Sequence, residues 1–394
     1  MLAISLQERY AIASRSDLGM IDRVIEEQSH MSERRIAFFL PTLAGGGAER
    51  VALNLLAGML ELDIPLDLVV ASKEGPYLDQ VPDRLRLIDL GTARVMKAIP
   101  ALAGYLKDTQ PVALVSHMNH ANIAAILAKE LARSKTKLVV VEHNTLSTSK
   151  SNLRRSKFLP TMMRWLYPRA NEIVGVSQGV ATDLDTQLGF QPGTVKTVYN
   201  PVVDRQLKSK SQAPLSHPWF APNSPPVFLA VGRLTAQKDF SNLIRAFAIV
   251  RQHQPARLII LGEGETRSAL EAEIAALGIT ADVSLPGFDA NPYAYMAQAT
   301  TFVLSSRWEG LPTVLIEAMA CGCAVVATDC PSGPQEILAA GKYGLLVPID
   351  DAPALATAML QTLEAPLDRA QSIERGQYFS SERAVSEYLR LCDY

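Results

Sequence analysis

Apolar residues in this chain come in short unbroken runs, each followed by a polar, glycine-bearing break and then by a stretch with helical spacing. The first run is Arg35-Ile36-Ala37-Phe38-Phe39-Leu40, followed by Gly45-Gly46-Gly47 and a helix from about Ala48 to Leu60. Further strands are predicted at Leu66–Ala71, Val112–Ser116, Lys137–Val141 and Glu172–Ser177. A second series opens the same way, with the strand Val227–Val231, the loop Gly232–Lys238 and a helix over Phe240–Val250. Strands at Arg257–Leu261, Val283–Leu285, Thr301–Ser305, Ala324–Thr328 and Gly344–Val347 follow. Runs without apolar/polar alternation suit strands buried on both faces, so the pattern predicts parallel sheets covered by helices. No repeat of solenoid length and no low-complexity tract occurs.

At 394 residues the chain is too long for one ordinary core. The stretch 208–226 carries Pro214, Pro218, Pro222, Pro225 and Pro226 and reads as a linker. The expected division is an N-terminal domain at 32–207, the linker at 208–226, a C-terminal domain at 227–375, and a closing helix at 376–394 that packs back on the N-terminal domain. Met31-Ser32-Glu33-Arg34-Arg35 looks like a fresh protein start, so residues 1–31 are expected to be a loosely attached extension or a product of start-site choice.

A composition of 48% hydrophobic and 20% charged residues argues against extensive disorder. A net charge of −2 supplies no basic field for nucleic acid, which is excluded as a partner. No uncharged apolar stretch is long enough to cross a membrane. The first thirty residues are broken by Glu8, Arg9, Arg15 and Asp17, unlike a secretory leader. Cys321, Cys323, Cys330 and Cys392 are too few for a disulfide framework. Their placement around the helix-to-strand stretch Ala320–Val326 favours buried thiols over a metal site, and a reducing cytoplasm fits.

Several motifs fail on inspection. Gly45-Gly46-Gly47-Ala48-Glu49-Arg50 lacks the third glycine of a dinucleotide fingerprint, and Gly262-Glu263-Gly264-Glu265-Thr266-Arg267 ends in arginine there. Gly341-Lys342 is followed by Tyr343, so no phosphate loop of the Gly-Lys-Ser/Thr kind exists. Asp183-Leu184-Asp185 has the spacing of a metal-dependent sugar transferase but lies on a helical pattern, where a solvated face is expected. Metal is not indicated.

Other residues carry chemistry. Glu309 and Glu317 stand on either side of Gly310-Leu311-Pro312, after an apolar strand and within an apolar helix. Glu309 is expected in the loop at the strand's carboxyl end, where open α/β sheets bind ligands. Glu317 is expected one or two turns into the helix, costly there without a polar partner. Taken alone the pair also fits a helix-dipole complement plus a solvated acid, or an acid/base couple. Arg233 and Lys238 share one loop of the same half, and two cations so placed can grip a diphosphate. Gly45-Gly46-Gly47 exposes amides at a helix start, suited to an anion, although three glycines also make a plain flexible turn. No acid occurs between Glu142 and Glu172, while Lys150, Arg154, Arg155, Lys157, Arg164 and Arg169 alternate with Phe158, Trp165 and Tyr167. That stretch suits an anionic membrane surface or a lipid pyrophosphate, or else a packed helix with a solvated basic side.

Jointly, Arg233…Lys238, Gly262-Glu263-Gly264, Gly287-Phe288, Glu309-x7-Glu317, and Asp329 through Glu336 to Gly344-Leu345-Leu346-Val347-Pro348 resemble the retaining glycosyltransferases of family 4. The order and spacing match across most of residues 32–375. Gly45–Arg50, Glu142-His143-Asn144-Thr145-Leu146-Ser147 and Cys330–Glu336 look like bacterial enzymes that extend lipid-linked oligosaccharides, often with N-acetylhexosamine or galactose from UDP.

The resemblance implies the GT-B fold, two doubly wound Rossmann-like α/β domains with a cleft between them. It implies a donor that is a nucleotide diphosphosugar, held at the diphosphate by Arg233 and Lys238, at the ribose by Glu317, and at the sugar by Glu309 with Gly310, Leu311 and Pro312. Gly46 and Gly47 would lie beside the β-phosphate and acceptor, and His143 would face the sugar. His117 and His120 are left as structural. The implied acceptor is a polyprenyl-diphosphate-linked glycan or another sugar, met near Arg154, Arg155, Lys157, Arg164 and Trp165. The implied location is cytoplasmic, with the inner face of the plasma membrane as a peripheral station. No cofactor is expected, the nucleotide-sugar being a substrate. Asn200-Pro201-Val202-Val203-Asp204 departs from the family's Asn-Gly-Val-Asp, which puts the hinge there in question. A nucleotide-sugar epimerase or hydrolase, or a non-catalytic nucleotide-sugar-binding protein, are the alternatives on the same fold.

Overall fold

The computed structural model describes residues 34–147, 159–365 and 368–394. The expected N-terminal extension and the basic residues Lys150, Arg154, Arg155 and Lys157 lie outside the described residues.

The first sheet holds β1 (Ile36–Leu40), β2 (Leu66–Val70), β3 (Arg86–Asp89), β4 (Ala113–His117), β5 (Lys137–Glu142), β6 (Glu172–Gly175) and β7 (Lys196–Thr197), in the order β3-β2-β1-β4-β5-β6-β7. The second holds β8 (Val227–Val231), β9 (Arg257–Leu261), β10 (Val283–Gly287), β11 (Thr301–Leu304), β12 (Ala324–Thr328) and β13 (Leu345–Val347), in the order β10-β9-β8-β11-β12-β13. The ladders β1–β2, β1–β4, β8–β9, β8–β11 and β11–β12 are all parallel. Every strand predicted from an apolar run is present. β3 and β7 are additions, short edge strands whose half-exposed residues never make an apolar run.

In each sheet the chain runs outward from the first strand to one side, then returns to build the other. β1 and β4 flank that reversal in the first sheet, and β8 and β11 flank it in the second. At such a switch point the loops leaving the strands part and open a crevice beyond their carboxyl ends.

The second sheet shows why unbroken apolar runs were required. Phe228 and Ala230 enter one core with Leu258, Ile260, Val303 and Val326, while Leu229 enters another with Ile259, Leu261, Phe302 and Leu304. Neighbouring residues thus point to opposite faces, and both faces are dry.

By contact density the chain separates into two compact units. One comprises residues through Val140 with Arg169–Asn171 and Leu391–Tyr394, and the other Val141–Pro168 with Glu172–Arg390. In the first unit, the chain's end is tied by Lys137 to Asp393 at 2.7 Å and by Arg34 to the Asp393 carbonyl at 2.6 Å. In the second, the proline-rich stretch is packed: Arg205–Ser211 is helical, Asn291 donates to the Lys210 carbonyl at 2.9 Å, and Arg257 stacks on Trp219. The Asn200–Asp204 segment is clamped too, with Val202 and Val203 amides donating to the Phe379 carbonyl at 3.0 and 3.2 Å.

Candidate active site

The loops at the β8/β11 switch point carry Arg233, Lys238, Asp239, Arg307 and Glu309. The loop after β8 ends on Lys238 and Asp239. Asp239 adopts the left-handed conformation, unusual for a residue with a Cβ, at φ 47°. It is held there by capping the Phe240–His253 helix and by an ion pair with Arg307 at 3.0 Å. Arg307 also pairs with Asp350 at 2.7 Å, and its amide donates to the Gln237 carbonyl at 2.9 Å. The β8 and β11 loops are therefore stitched together beside the crevice.

Lys238 and Glu309 meet across it. Lys238 Nζ lies 2.6 Å from Glu309 Oε1, with side chains 18% and 8% exposed. The same Oε1 accepts a hydrogen bond from Ser306 Oγ at 2.6 Å. Ser306 is fixed in turn by Thr328, whose hydroxyl donates to its carbonyl at 2.5 Å, and Ser305 Oγ donates to the Lys238 carbonyl at 2.7 Å. Cys330 adjoins the pair; burial foremost, then the Glu309 charge, pushes its thiol up to about 12, so it stays neutral. Arg233, on the same loop as Lys238, is exposed and makes no ion pair among the described residues.

Glycines let this loop pack. A Cβ on Gly232 would press on the Lys238 stem at 3.3 Å. Gly262, at φ 144°, would place a Cβ 1.9 Å from the Gly232 carbonyl, and one on Gly264 would sit 2.2 Å from that of Leu234. The Gly262-Glu263-Gly264 loop is a buttress under the Arg233 loop, with Leu234 donating to the Glu263 carbonyl at 2.9 Å.

Glu317 lies in the second turn of the Thr313–Ala320 helix, for which Pro312 is the N-cap. Its carboxyl is half-buried and makes no hydrogen bond among the described residues. Burial, with the Asp204 charge behind it, pushes its pKa up to about 7. An acid left open in an apolar helix is consistent with a ligand's hydroxyls as its missing partners. Gly310 is held by Ser332, which donates to its carbonyl at 2.9 Å, and a Cβ on Gly310 would lie 3.6 Å from the His143 carbonyl. The structure thus brings His143 beside the Gly310 loop. Desolvation pulls the half-buried His143 down to about 4, so the ring is neutral.

In the first unit, Gly46 caps the Gly47–Leu60 helix without a side-chain bond. A Cβ there would lie 2.5 Å from Glu49 Oε2, so the chain's own carboxylate folds back over the helix start where an outside anion was expected. On the Leu159–Leu166 helix, Trp165 and Met162 are 72% and 41% exposed. Arg164 lies against Gly189, and Arg169 pairs with Glu130 at 3.1 Å.

Asp183-Leu184-Asp185 is not the solvated face expected of it. Asp183 Oδ2 accepts from the Leu146 and Ser147 amides at 2.5 and 3.3 Å and anchors the loop that follows His143. Asp185 is buried and accepts from the Gly193 and Val195 amides at 2.7 and 3.0 Å. Neither carboxylate is spare. Sequence reasoning also missed Ser306, Asp239 and Glu49. A small hydroxyl at a strand's end and an Asp just before a helix are the signals that could have found the first two. The four cysteines are buried free thiols.

Residues 45–206 match the family described as Glycosyltransferase Family 4, and residues 213–378 the family described as Glycosyl transferases group 1. The N-acetylgalactosamine-N,N'-diacetylbacillosaminyl-diphospho-undecaprenol 4-alpha-N-acetylgalactosaminyltransferase of Campylobacter jejuni is 32% identical over 353 residues, 85% of this chain and 90% of that one. Among solved structures, the apo form of the lipopolysaccharide outer core galactosyltransferase WaaB is similar at TM-score 0.73 and 20% identity, covering 91% of this chain and 98% of its own. Anabaena HepE in complex with UDP-glucose is similar at TM-score 0.69 and 21% identity, covering 91% and 98%.

Proposed function

The chain belongs to the group 1, family 4 glycosyltransferases and has their GT-B fold, and on that premise we propose that it is a retaining enzyme that extends a polyprenyl-diphosphate-linked glycan in cell-surface glycan assembly. The sugar it moves is a hexose or N-acetylhexosamine, carried in on a nucleotide diphosphate, with UDP first among the candidates. The observation that carries this reading is the cation and carboxylate set at one switch point: Lys238 on Glu309, with Arg233 making no ion pair and Glu317 no hydrogen bond among the described residues. Such a set matches a diphosphate, a sugar and a ribose in chemistry. The relative's name supports the acceptor class, since it specifies a diphospho-undecaprenol glycan, and the HepE complex with UDP-glucose supports the donor class.

In this reading Arg233 and Lys238 take the diphosphate, Glu317 accepts from the ribose hydroxyls, and Glu309 accepts from the sugar. The acceptor hydroxyl attacks the anomeric carbon on the face from which the diphosphate departs. Its proton passes to the leaving phosphate oxygen, whose growing charge the two cations stabilise. Neutral His143 contributes packing and a hydrogen bond near the sugar rather than a positive charge. Exposed Trp165 and Met162 are the apolar contacts for an anionic membrane surface, where a polyprenyl acceptor resides.

A donor panel of UDP-, GDP- and ADP-sugars with a polyprenyl-diphosphate oligosaccharide tests the reading, with product anomers assigned by NMR. An α-linked product from an α-linked donor is expected. Inversion would sink the retaining mechanism, and donor consumption without any acceptor would favour a hydrolase or epimerase instead. Flotation with anionic vesicles at low salt is expected to carry the protein upward; failure to bind removes the membrane contact.

A further inference from the structure

We propose that Glu309 makes the site discriminate between a sugar-bearing donor and the spent nucleotide diphosphate, by competing with the diphosphate for Lys238. The inference rests on the donor reading above and adds a specificity role to it. Lys238 and Glu309 are 2.6 Å apart with both side chains largely enclosed, so their attraction is weakly screened. A diphosphate that uses Lys238 must draw the ammonium away from Glu309 or share it. Sharing brings two anions onto one cation. Separation leaves Glu309 with the Ser306 hydroxyl, 2.6 Å from the same oxygen. Arg307, close by in sequence, is committed to Asp239 at 3.0 Å and Asp350 at 2.7 Å, and Arg233 is the diphosphate's other cation in the donor reading, so neither takes Lys238's place at Glu309.

An enclosed carboxylate stripped of its cation is costly unless hydrogen-bond donors replace it. The hydroxyls of a sugar on the β-phosphate are such donors, and a free nucleotide diphosphate has none to offer there. The donor complex can therefore satisfy Glu309 while the product complex leaves it facing phosphate. The affinity for spent nucleotide is held down selectively, which favours its release after transfer. Ser306 is a positioning residue in this scheme. Its hydroxyl stays with Glu309 throughout and lessens the carboxylate's demand on Lys238, while Thr328 fixes the Ser306 carbonyl at 2.5 Å.

Isothermal titration of the full-length wild type, Glu309→Gln and Ser306→Ala provides the test. UDP, GDP and ADP are screened first, and the one that binds best is compared with its own intact sugar conjugate in the absence of acceptor. Glu309→Gln keeps the shape and removes the charge, and is expected to bind the free nucleotide diphosphate about tenfold tighter, the scale of one close charge pair. The sugar conjugate should bind it no tighter than wild type. Ser306→Ala is expected to move the other way, weakening free nucleotide about threefold because Glu309 then leans wholly on Lys238. Opposite signs in two neighbouring variants separate this mechanism from misfolding, which weakens both ligands in both proteins. If the wild type binds free nucleotide and Glu309→Gln binds it no tighter, the discrimination role is overturned and the donor reading stands. If the wild type binds none of the three nucleotides, both fall.

Discussion

The two switch points of this protein share a topology and differ in what they present. At β1/β4 the loop glycines open a helix start, and the acid already there, Glu49, belongs to the chain. The β4 side adds Asn119 and His120, whose ring nitrogen lies 3.1 Å from the Asn119 oxygen. Burial lowers the His120 pKa against the opposing pull of Glu49. At β8/β11 two cations stand on one loop, Lys238 paired with Glu309 and Arg233 making no ion pair among the described residues, with the acid Glu317 nearby. The same strand order thus carries an acid over a helix start at one edge and a pair of loop cations at the other. Topology supplies the crevice, and a few loop residues decide what it accepts.

The largest expected effect sharpens this contrast. Lys238→Ala should cut turnover by about 10²–10³ at saturating donor, the usual loss when one charge-stabilising donor is removed. Near-normal turnover would make the second edge no more catalytic than the first.

Next comes the buttress. Gly262→Ala puts a Cβ where the Gly232 carbonyl stands, in a backbone conformation that favours glycine, and should lower unfolding free energy by about 2 kcal/mol or more. Gly47→Ala, where nothing lies within 4 Å, should be near neutral. Equal thermal melts for the two variants would break the claim that the Gly262 loop buttresses the Arg233 loop.

A smaller effect concerns acidity. Because burial raises the Glu317 pKa to about 7, the carboxylate gains a proton as pH falls through 7 and loses acceptor capacity for ribose hydroxyls. The donor KM should therefore rise several-fold between about pH 8 and pH 6, with kcat changing less. Glu336, also pushed up to about 7 by burial, titrates in the same window, so Glu317→Gln must flatten the KM profile for the assignment to hold. The same shift has a stability sign. A raised carboxyl pKa leaves the fold unpenalised below the ordinary value of 4.5 and costs stability as pH climbs through 7.

The smallest belongs to the first edge. Glu49→Gln removes the acid that complements a helix start and should cost about 0.3–1 kcal/mol in denaturant melts, without changing donor affinity. A change in donor affinity as large as that of Lys238→Ala would erase the contrast between the edges.

The sequence by itself determined the strands of both sheets that are buried on both faces, because a dry strand is apolar at most positions, even where β2 buries Asp67 on Arg35, Arg86 and Tyr105, and that signature is local. It also marked Arg233, Lys238, Glu309 and Glu317 by type and spacing. Edge strands β3 and β7 left no such signature, since half-exposed residues need no pattern. Tertiary structure decided the rest. The reversal of strand order puts the β8 and β11 loops side by side and makes a pair of Lys238 and Glu309, residues 71 apart in the chain. It turned Asp183 and Asp185 from an apparent charged face into anchors for backbone amides, folded Glu49 over a helix start, and gave Ser306 a carboxylate to hold. The Lys238 pair and the Asp183 and Asp185 anchors depend on which segments meet, Glu49 and Ser306 on how one loop turns, and hydrophobic periodicity fixes where strands form without fixing either.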